Sequence, residues 1–428
     1  MAETRAYLVD DHRRYPYLRP YLREWFRDSL TVVPLLFLVG TILLFPLMRL
    51  IDIRLIGDTS PVKNIPGQTV AAVSISSVIA ISMLSFMGVI FSITLVALQL
   101  ANQQFSPNIV RKFEGSGTVK VAMGLFIAAF VYALLLLLDA SAGGAEQTRL
   151  ASLTMVLLLV TASVVIFVIY VKEILQMLRI GKVIGAIVND THQAIDNNFP
   201  QASAYITADF SVTEDPSLLV RYFDPPSSFL VDRAPQGTLK AVNDVRLLRL
   251  AQEHDCYLQV LFKVGDHIMR GDPVVEVYGA SDIEPREILA QFVVGDERNL
   301  FQDPAFGFRQ LVDIASHALA GGVNLPSIAA MVIDNLTELL LQISRRPAPT
   351  GFYADSFGQI RLQRPLRSWE DYVDLAFTDI RTYGADDPLV QRSLVKAFDR
   401  LLLQVPGSYK SSIEQQCFLV DAAFNENA

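Results

Sequence analysis

The sequence predicts a membrane α-helical protein: four transmembrane helices with both termini cytosolic, followed by an α+β cytosolic domain. Three observations carry this. The 428 residues are 51% hydrophobic and only 19% charged, with mean hydropathy +0.35, whereas a soluble chain of similar apolar content carries roughly 25% charge. The apolar excess lies almost wholly before residue 175. After residue 230 the hydrophobic period changes from helical to alternating, and later back again.

Residues 1–29 form an Arg-rich cytosolic segment with Arg5, Arg13, Arg14, Arg19, Arg23 and Arg27. It is too long and polar for the head of a cleavable signal peptide. Residues 30–175 hold four stretches of the ~20 apolar residues that a spanning helix needs. The first runs from Leu30 to Leu50, with Pro34 in its first turn, where the missing N–H costs nothing. The second runs from Val70 to Leu100. At ~1.5 Å per residue it reaches about 45 Å, longer than a ~30 Å hydrocarbon core, so it tilts or projects beyond it. The third covers Val119 to Leu138 and the fourth Ala151 to Val171.

Basic residues set the orientation. Arg111, Lys112 and Lys120 fall between the second and third spans, and Lys172, Arg179 and Lys182 follow the fourth. The other two loops hold only Arg54, Lys63 and Arg149, with Arg49 at a helix end. Both termini therefore face the cytosol, as for a multi-pass protein of a bacterial inner membrane, with lipid as its first partner.

Residues 176–229 read as a helical stalk and linker: Ile184, Val188 and Ile195 continue the helical spacing, and Pro216, Pro225 and Pro226 break it. Residues 230–284 form a small β-rich subdomain, barrel-like or barrel-sandwich-like. Its segment CYLQVLFKVGDHIMRGDPVVEVYG predicts a strand, a turn at Gly271 and a paired strand. It resembles the second half of a biotinyl/lipoyl-type barrel-sandwich hybrid without the modified-lysine hairpin. Residues 285–428 are mostly helical, with a short hairpin at 352–363. Cys256 and Cys417 stand far apart, outside any spacing for structural zinc or a disulfide framework.

No phosphate loop, dinucleotide fingerprint, HExxH or GxSxG occurs, so no catalytic residue, metal or cofactor is expected. The net charge of −8 lacks the basic surplus that nucleic-acid binding needs, so no nucleic-acid partner is expected either. Two polar constellations remain. In the second span Ser74, Ser77, Ser85, Gly88, Ser92, Gln99 and Gln103 recur mostly at three, four or seven residues, joined by Asn102 at the cytosolic end. Such a stripe either packs helix on helix or lines a water-filled path. In the cytosolic part Arg309, Asp313 and His317 share a helix face, with Asp303 and Asn324 at neighbouring helix starts. This group is either an ion-pair and capping network or a polar pocket.

The stretch FSITLVALQLANQQFSPNIVRKF, the span VAMGLFIAAFVYALLLL after it, and GDERNLFQDPAFGFRQLVDIASHALAGGVNLPSIAAMVIDNL downstream resemble, in this order, the DUF2254 family of predicted bacterial membrane proteins of unknown function. The resemblance covers nearly the whole chain and implies four membrane helices with a cytosolic C-terminal domain. The family pattern usually reads Asn-Asp-Pro where this chain has Asn324, Leu325 and Pro326, so no catalytic role is carried onto that loop.

These features point to a homo-oligomeric channel or permeation protein. Its second helix lines the path for a small ion or ligand, and its cytosolic domain assembles or gates it. The absence of acids and bases within the stripe speaks against proton coupling. The alternative is a membrane-anchored scaffold or ligand-sensing protein without transport.

Overall fold

The computed structural model describes residues 31–56, 68–104, 117–142, 150–177, 179–199, 228–231, 236–279, 283–320, 325–347, 350–355 and 357–426. The Arg-rich segment, most of the linker and the basic residues Lys63, Arg111, Lys112 and Arg149 lie outside these. The described residues fall into two compact units that divide between Val183 and Ile184.

The first unit is helical. It comprises α1 (Val32–Ile51) with a π-helical turn (Asp52–Ile56), α2 (Gln68–Gln104), α3 (Gly117–Ala142) and α4 (Leu150–Met177). Helix α3 packs against all three others. It can do so because its buried positions include Ala122, Gly124, Ala128, Ala129, Ala133 and Ala140. Small residues let helices approach where no water drives them together. At Gly124 even a methyl group would come within 2.6 Å of the Phe37 ring on α1. Around this spine, Phe86, Phe126, Phe167 and Tyr170 pack their rings across α2, α3 and α4.

One end of the bundle is tied by polar contacts. The buried Asp52 carboxylate accepts hydrogen bonds from the Ala151 N–H at 2.7 Å, the Ser152 N–H at 3.1 Å and the Ser152 hydroxyl at 2.5 Å. It thus satisfies free N–H groups at the positive end of α4. Arg49 on α1 pairs with Asp139 on α3 at 3.1 Å.

The second unit is α+β. Helix α5 (Ile180–Asn198) carries the chain into it. There follow β1 (Ser228–Val231), β2 (Gly237–Val242), α6 (Asp244–Glu253), β3 (Tyr257–Val260), β4 (His267–Ile268), β5 (Val275–Tyr278), α7 (Pro285–Leu289) and β6 (Phe292–Gly295). Then come α8 (Pro304–Leu319), α9 (Pro326–Ser344), β7 (Phe352–Ala354), β8 (Ile360–Gln363), α10 (Trp369–Tyr383), α11 (Pro388–Gln404) and α12 (Lys410–Glu426).

The strands form two sheets, β1-β5-β3-β8-β7 and β4-β2-β6. Buried Leu239, Leu248, Leu258, Ile268, Val275 and Leu362 share one core that draws on both. One sequence expectation changes here, although the CYLQV strand, as β3, does pair antiparallel with β5. Strands β4 and β5 do not pair as a hairpin: β4 pairs with β2, and β5 with β1 and β3. Gly265 and Gly271 hold positive φ of 96° and 93° in the turns either side of β4. The chain therefore changes sheets where a two-residue hairpin would have stayed in one. The hairpin β7–β8 forms, and β8 then joins β3 in parallel, so the larger sheet takes strands from over 90 residues apart in sequence.

The helices of this unit pack α8 on α9 and α10, and α9 on α11. Helix α5 lies so close to α8 that any side chain at Gly307 would collide with Thr191. Among the described residues five helices are long and apolar enough to cross a membrane: Val32–Arg54, Val73–Ala97, Gly117–Ala142, Leu150–Gln176 and Pro326–Ser344. The last has hydropathy 1.2 against 2.1–2.7 for the others, and half of its window is buried in the fold.

Replacing Gly307 by Val should destabilise the second unit by about 1–3 kcal/mol, the usual scale of overpacking. Thr191→Ala combined with Gly307→Ala should recover part of the loss of Gly307→Ala alone, as read by denaturant unfolding.

Candidate functional site

Helix α2 has 37 residues, about 55 Å at ~1.5 Å per residue. Its buried positions are Ser76, Ala80, Met83, Ile90 and Ala97, a single face at three- and four-residue spacing. Thr94 lies on that same face, 2.5 Å from the Tyr170 hydroxyl of α4. The stripe read from the sequence lies elsewhere. Ser74, Ser85, Gly88, Ser92 and Gln99 are exposed, and Ser77 is half-buried. At ~100° per residue they sit on the side of the helix away from its packed face.

The Ser77 hydroxyl donates to the Ser74 carbonyl at 2.9 Å and that of Ser85 to the Ile81 carbonyl at 3.0 Å. At Gly88 an added Cβ would meet nothing within 4 Å. Asn102 and Gln103 fall in the last turn of α2, and their side chains lie outside the described residues. The small residues that do the intramolecular packing are the run of Ala and Gly at the buried positions of α3, with Ser76, Ala80 and Ala97 on the inner face of α2.

The second predicted group splits. Asp303 stands at the start of α8 but makes no side-chain cap. Its buried carboxylate accepts from Arg298 Nη2 at 2.6 Å and Nε at 2.9 Å. Arg309 instead reaches Asp313 at 2.8 Å, one turn along α8, and Asp379 of α10 at 2.8 Å. His317 is exposed two turns on from Arg309, and Asn324 lies outside the described residues. Burial raises the carboxyls of Asp303 and Asp313 against the pull of Arg298 and Arg309 respectively. Arg298 also draws Asp313 down, so it acts on both halves of the group. Sequence spacing missed it because its bond to Asp303 closes a loop of irregular backbone.

At the start of α10 the sequence does carry a readable signal. Ser368 and Asp371 form a capping box, and the Asp371 carboxylate also accepts from Lys263 Nζ at 3.1 Å. Burial by itself would raise this carboxyl, but the Ser368 N–H and Lys263 outweigh it and hold it below the usual carboxylate range. Among the described residues no group of three His, Cys, Asp or Glu side chains is placed to hold a metal ion.

The profile of DUF2254, described as a predicted membrane protein, matches residues 27–400. The chain belongs to the DUF2254 family. It is also similar to the uncharacterized protein Rv1290c of Mycobacterium tuberculosis and the uncharacterized protein Mb1321c of Mycobacterium bovis. Each is 28% identical over 357 residues, which cover 80% of this chain and 66% of the relative. No solved structure matches the chain. This DUF2254 protein thus joins several long apolar helices to an α+β C-terminal part.

Breaking the buried pair with Asp303→Ala should cost about 3 kcal/mol, because Arg298 is left without its carboxylate. Arg309→Ala, on a half-exposed network, should cost less than about 1 kcal/mol. Thermal unfolding of both variants checks the order. The stability that Asp371 contributes is fully present above the ordinary carboxylate value of 3.8 and is lost as pH falls through its lowered one. Asp371→Asn should therefore flatten the acid limb of a stability–pH curve.

Proposed function

We propose that this DUF2254 protein is a homo-oligomeric channel or permeation protein of a bacterial inner membrane, with α2 lining the path. One observation carries the reading. Ser74, Ser85, Gly88, Ser92 and Gln99 are exposed on the side of α2 away from its packed face. Polar groups at bilayer depth face protein or water rather than lipid. The packed face of α2 is already committed to α3 and α4, so the partner for the opposite face is a second copy of α2 or the water it encloses.

In this reading four helices cross the membrane with both termini in the cytosol, as the distribution of basic residues suggests. Helix α9 stays in the C-terminal unit. It carries Asp334 and Glu338 within its apolar stretch and buries half of that stretch against its neighbours. The C-terminal unit assembles or gates the path.

A second reading, a membrane-anchored scaffold or ligand-sensing protein without transport, has its own support. The Ser77 and Ser85 hydroxyls are satisfied by their own helix backbone, which lowers the cost of facing lipid.

Planar-bilayer recording of the purified protein separates the two. The channel reading expects conductance that falls with Ser92→Leu and with Gln99→Leu. It also expects disulfide-linked dimers of Ser85→Cys or Ser92→Cys that the parent chain does not form. No conductance in any condition, or conductance indifferent to both leucine changes, would sink it and leave the scaffold.

A further inference from the structure

The C-terminal unit holds a second feature, which shares only Asp303 with the sequence constellations. A cavity of about 80 Å³ lies where the β3–β4 loop, the start of α8, β7 and the segment between β8 and α10 meet. Lys263, Asp303, Tyr353, Arg364, Arg367 and Tyr372 are among the residues that line it.

Among the described residues its cations outnumber the carboxylates hydrogen-bonded to them. Lys263 pairs with Asp371 at 3.1 Å. Arg364 places Nη1 3.0 and 2.9 Å from the two carboxylate oxygens of Asp244. Asp303 is taken by Arg298 at 2.6 Å. Arg367, drawn electrostatically to both Asp303 and Asp371, is the one of these four cations without a hydrogen-bonded carboxylate of its own among the described residues.

The hydrogen bonds leave the same remainder. The Nε–H of Arg364 and the Nε–H of Arg367 are both buried, and neither has a hydrogen-bond partner among the described residues. The Arg364 side chain is only 9% exposed. A buried guanidinium N–H without an acceptor is costly, and two of them belong to residues that line one cavity, which favours an acceptor there. Water could occupy the space, at about 30 Å³ per molecule. It would satisfy the N–H groups and leave Arg367 without a paired anion of its own. An oxyanion satisfies both, and arginine edges are suited to its oxygens. Tyr353 is bonded to Asp244, and burial, with Asp303 close by, keeps the Tyr372 phenol protonated.

We propose that this cavity binds a small oxyanion, a phosphate group held by the Nε–H edges of Arg364 and Arg367 with Lys263 at its rim. Asp303 stays neutralised by Arg298 and forms the far wall. The cavity is small, so a larger ligand would insert only its terminal phosphate.

The test is calorimetry and thermal unfolding of the full-length protein in detergent. Inorganic phosphate is one arm, glycerol phosphate a second, and chloride at equal ionic strength the control. Binding of either phosphate, with a concentration-dependent rise in Tm that chloride does not produce, is the expected result. Inorganic phosphate binding alone marks a free anion as the ligand, and tighter binding of the ester marks the terminal phosphate of a larger molecule. Arg367→Gln should weaken binding about tenfold or more, the loss of one charge-assisted hydrogen bond, with Tm unchanged when phosphate is absent. If that variant fails to fold, Arg367→Lys, which keeps the charge but lacks the Nε–H, replaces it and should weaken binding in the same direction. No binding beyond chloride in either arm, or binding equal to the parent's in the Arg367 variant, overturns the proposal.

Discussion

A bilayer offers no water to a peptide group, and the first unit is built around that constraint. Its backbone polar groups must be satisfied within the chain, so it is helical throughout its long apolar segments. Hydrophobicity cannot then hold the helices together, since lipid is as apolar as they are. Close contact takes its place. Helix α3 supplies it with Ala and Gly at the positions where α1, α2 and α4 meet it. Two strong polar contacts sit at one end of the bundle, where Asp52 caps α4 and Arg49 meets Asp139. There a charge is cheaper than at bilayer depth.

The C-terminal unit follows the opposite economy. Its core is an ordinary water-driven one, with Leu239, Leu258, Ile268 and Val275 buried between two small sheets and the adjoining helices. Around that core the irregular segments are tied down by arginine–carboxylate pairs: Arg298 to Asp303, Arg361 to Asp355 and Arg364 to Asp244. Such pairs contribute little net stability once desolvation is counted, but each removes alternatives for the loop it closes. Arg346 does the same for a helix pair, reaching from the end of α9 to Asp196 on α5. Where this pattern runs out, at Arg367, the cavity begins.

Helix α2 joins these themes. One face obeys the close-packing logic of its own unit, with Ala80, Ala97 and the Thr94–Tyr170 contact turned inward. The other carries hydroxyls, a glycine and an amide that this packing does not use. The asymmetry gives the helix two surfaces of different chemistry, and the proposed role of the protein turns on what meets the second one.

Much of this was legible in the letters. Long apolar runs and their breaks marked the helices of the first unit, because a spanning helix must be apolar over its whole length. Alternation marked most strands of the second unit. The stripe on α2 was legible as a stripe, since helical periodicity fixes which residues share a face. What it faced was not, because periodicity says nothing about which face a neighbour takes. Only the packing of α3 decided that Ser76, Ala80 and Met83 turn inward and Ser85 and Ser92 do not. Sheet membership was likewise a tertiary decision: β4 and β5 are adjacent in sequence but pair with different strands, since pairing depends on where turns at Gly265 and Gly271 send the chain. The same holds for the ion pairs. Asp303 and Arg309 looked like one group by spacing, yet Arg298, across a loop, claims the first and Asp379, on another helix, the second. A charge finds its partner in space, and local sequence determines that partner only within a turn or two of the same helix.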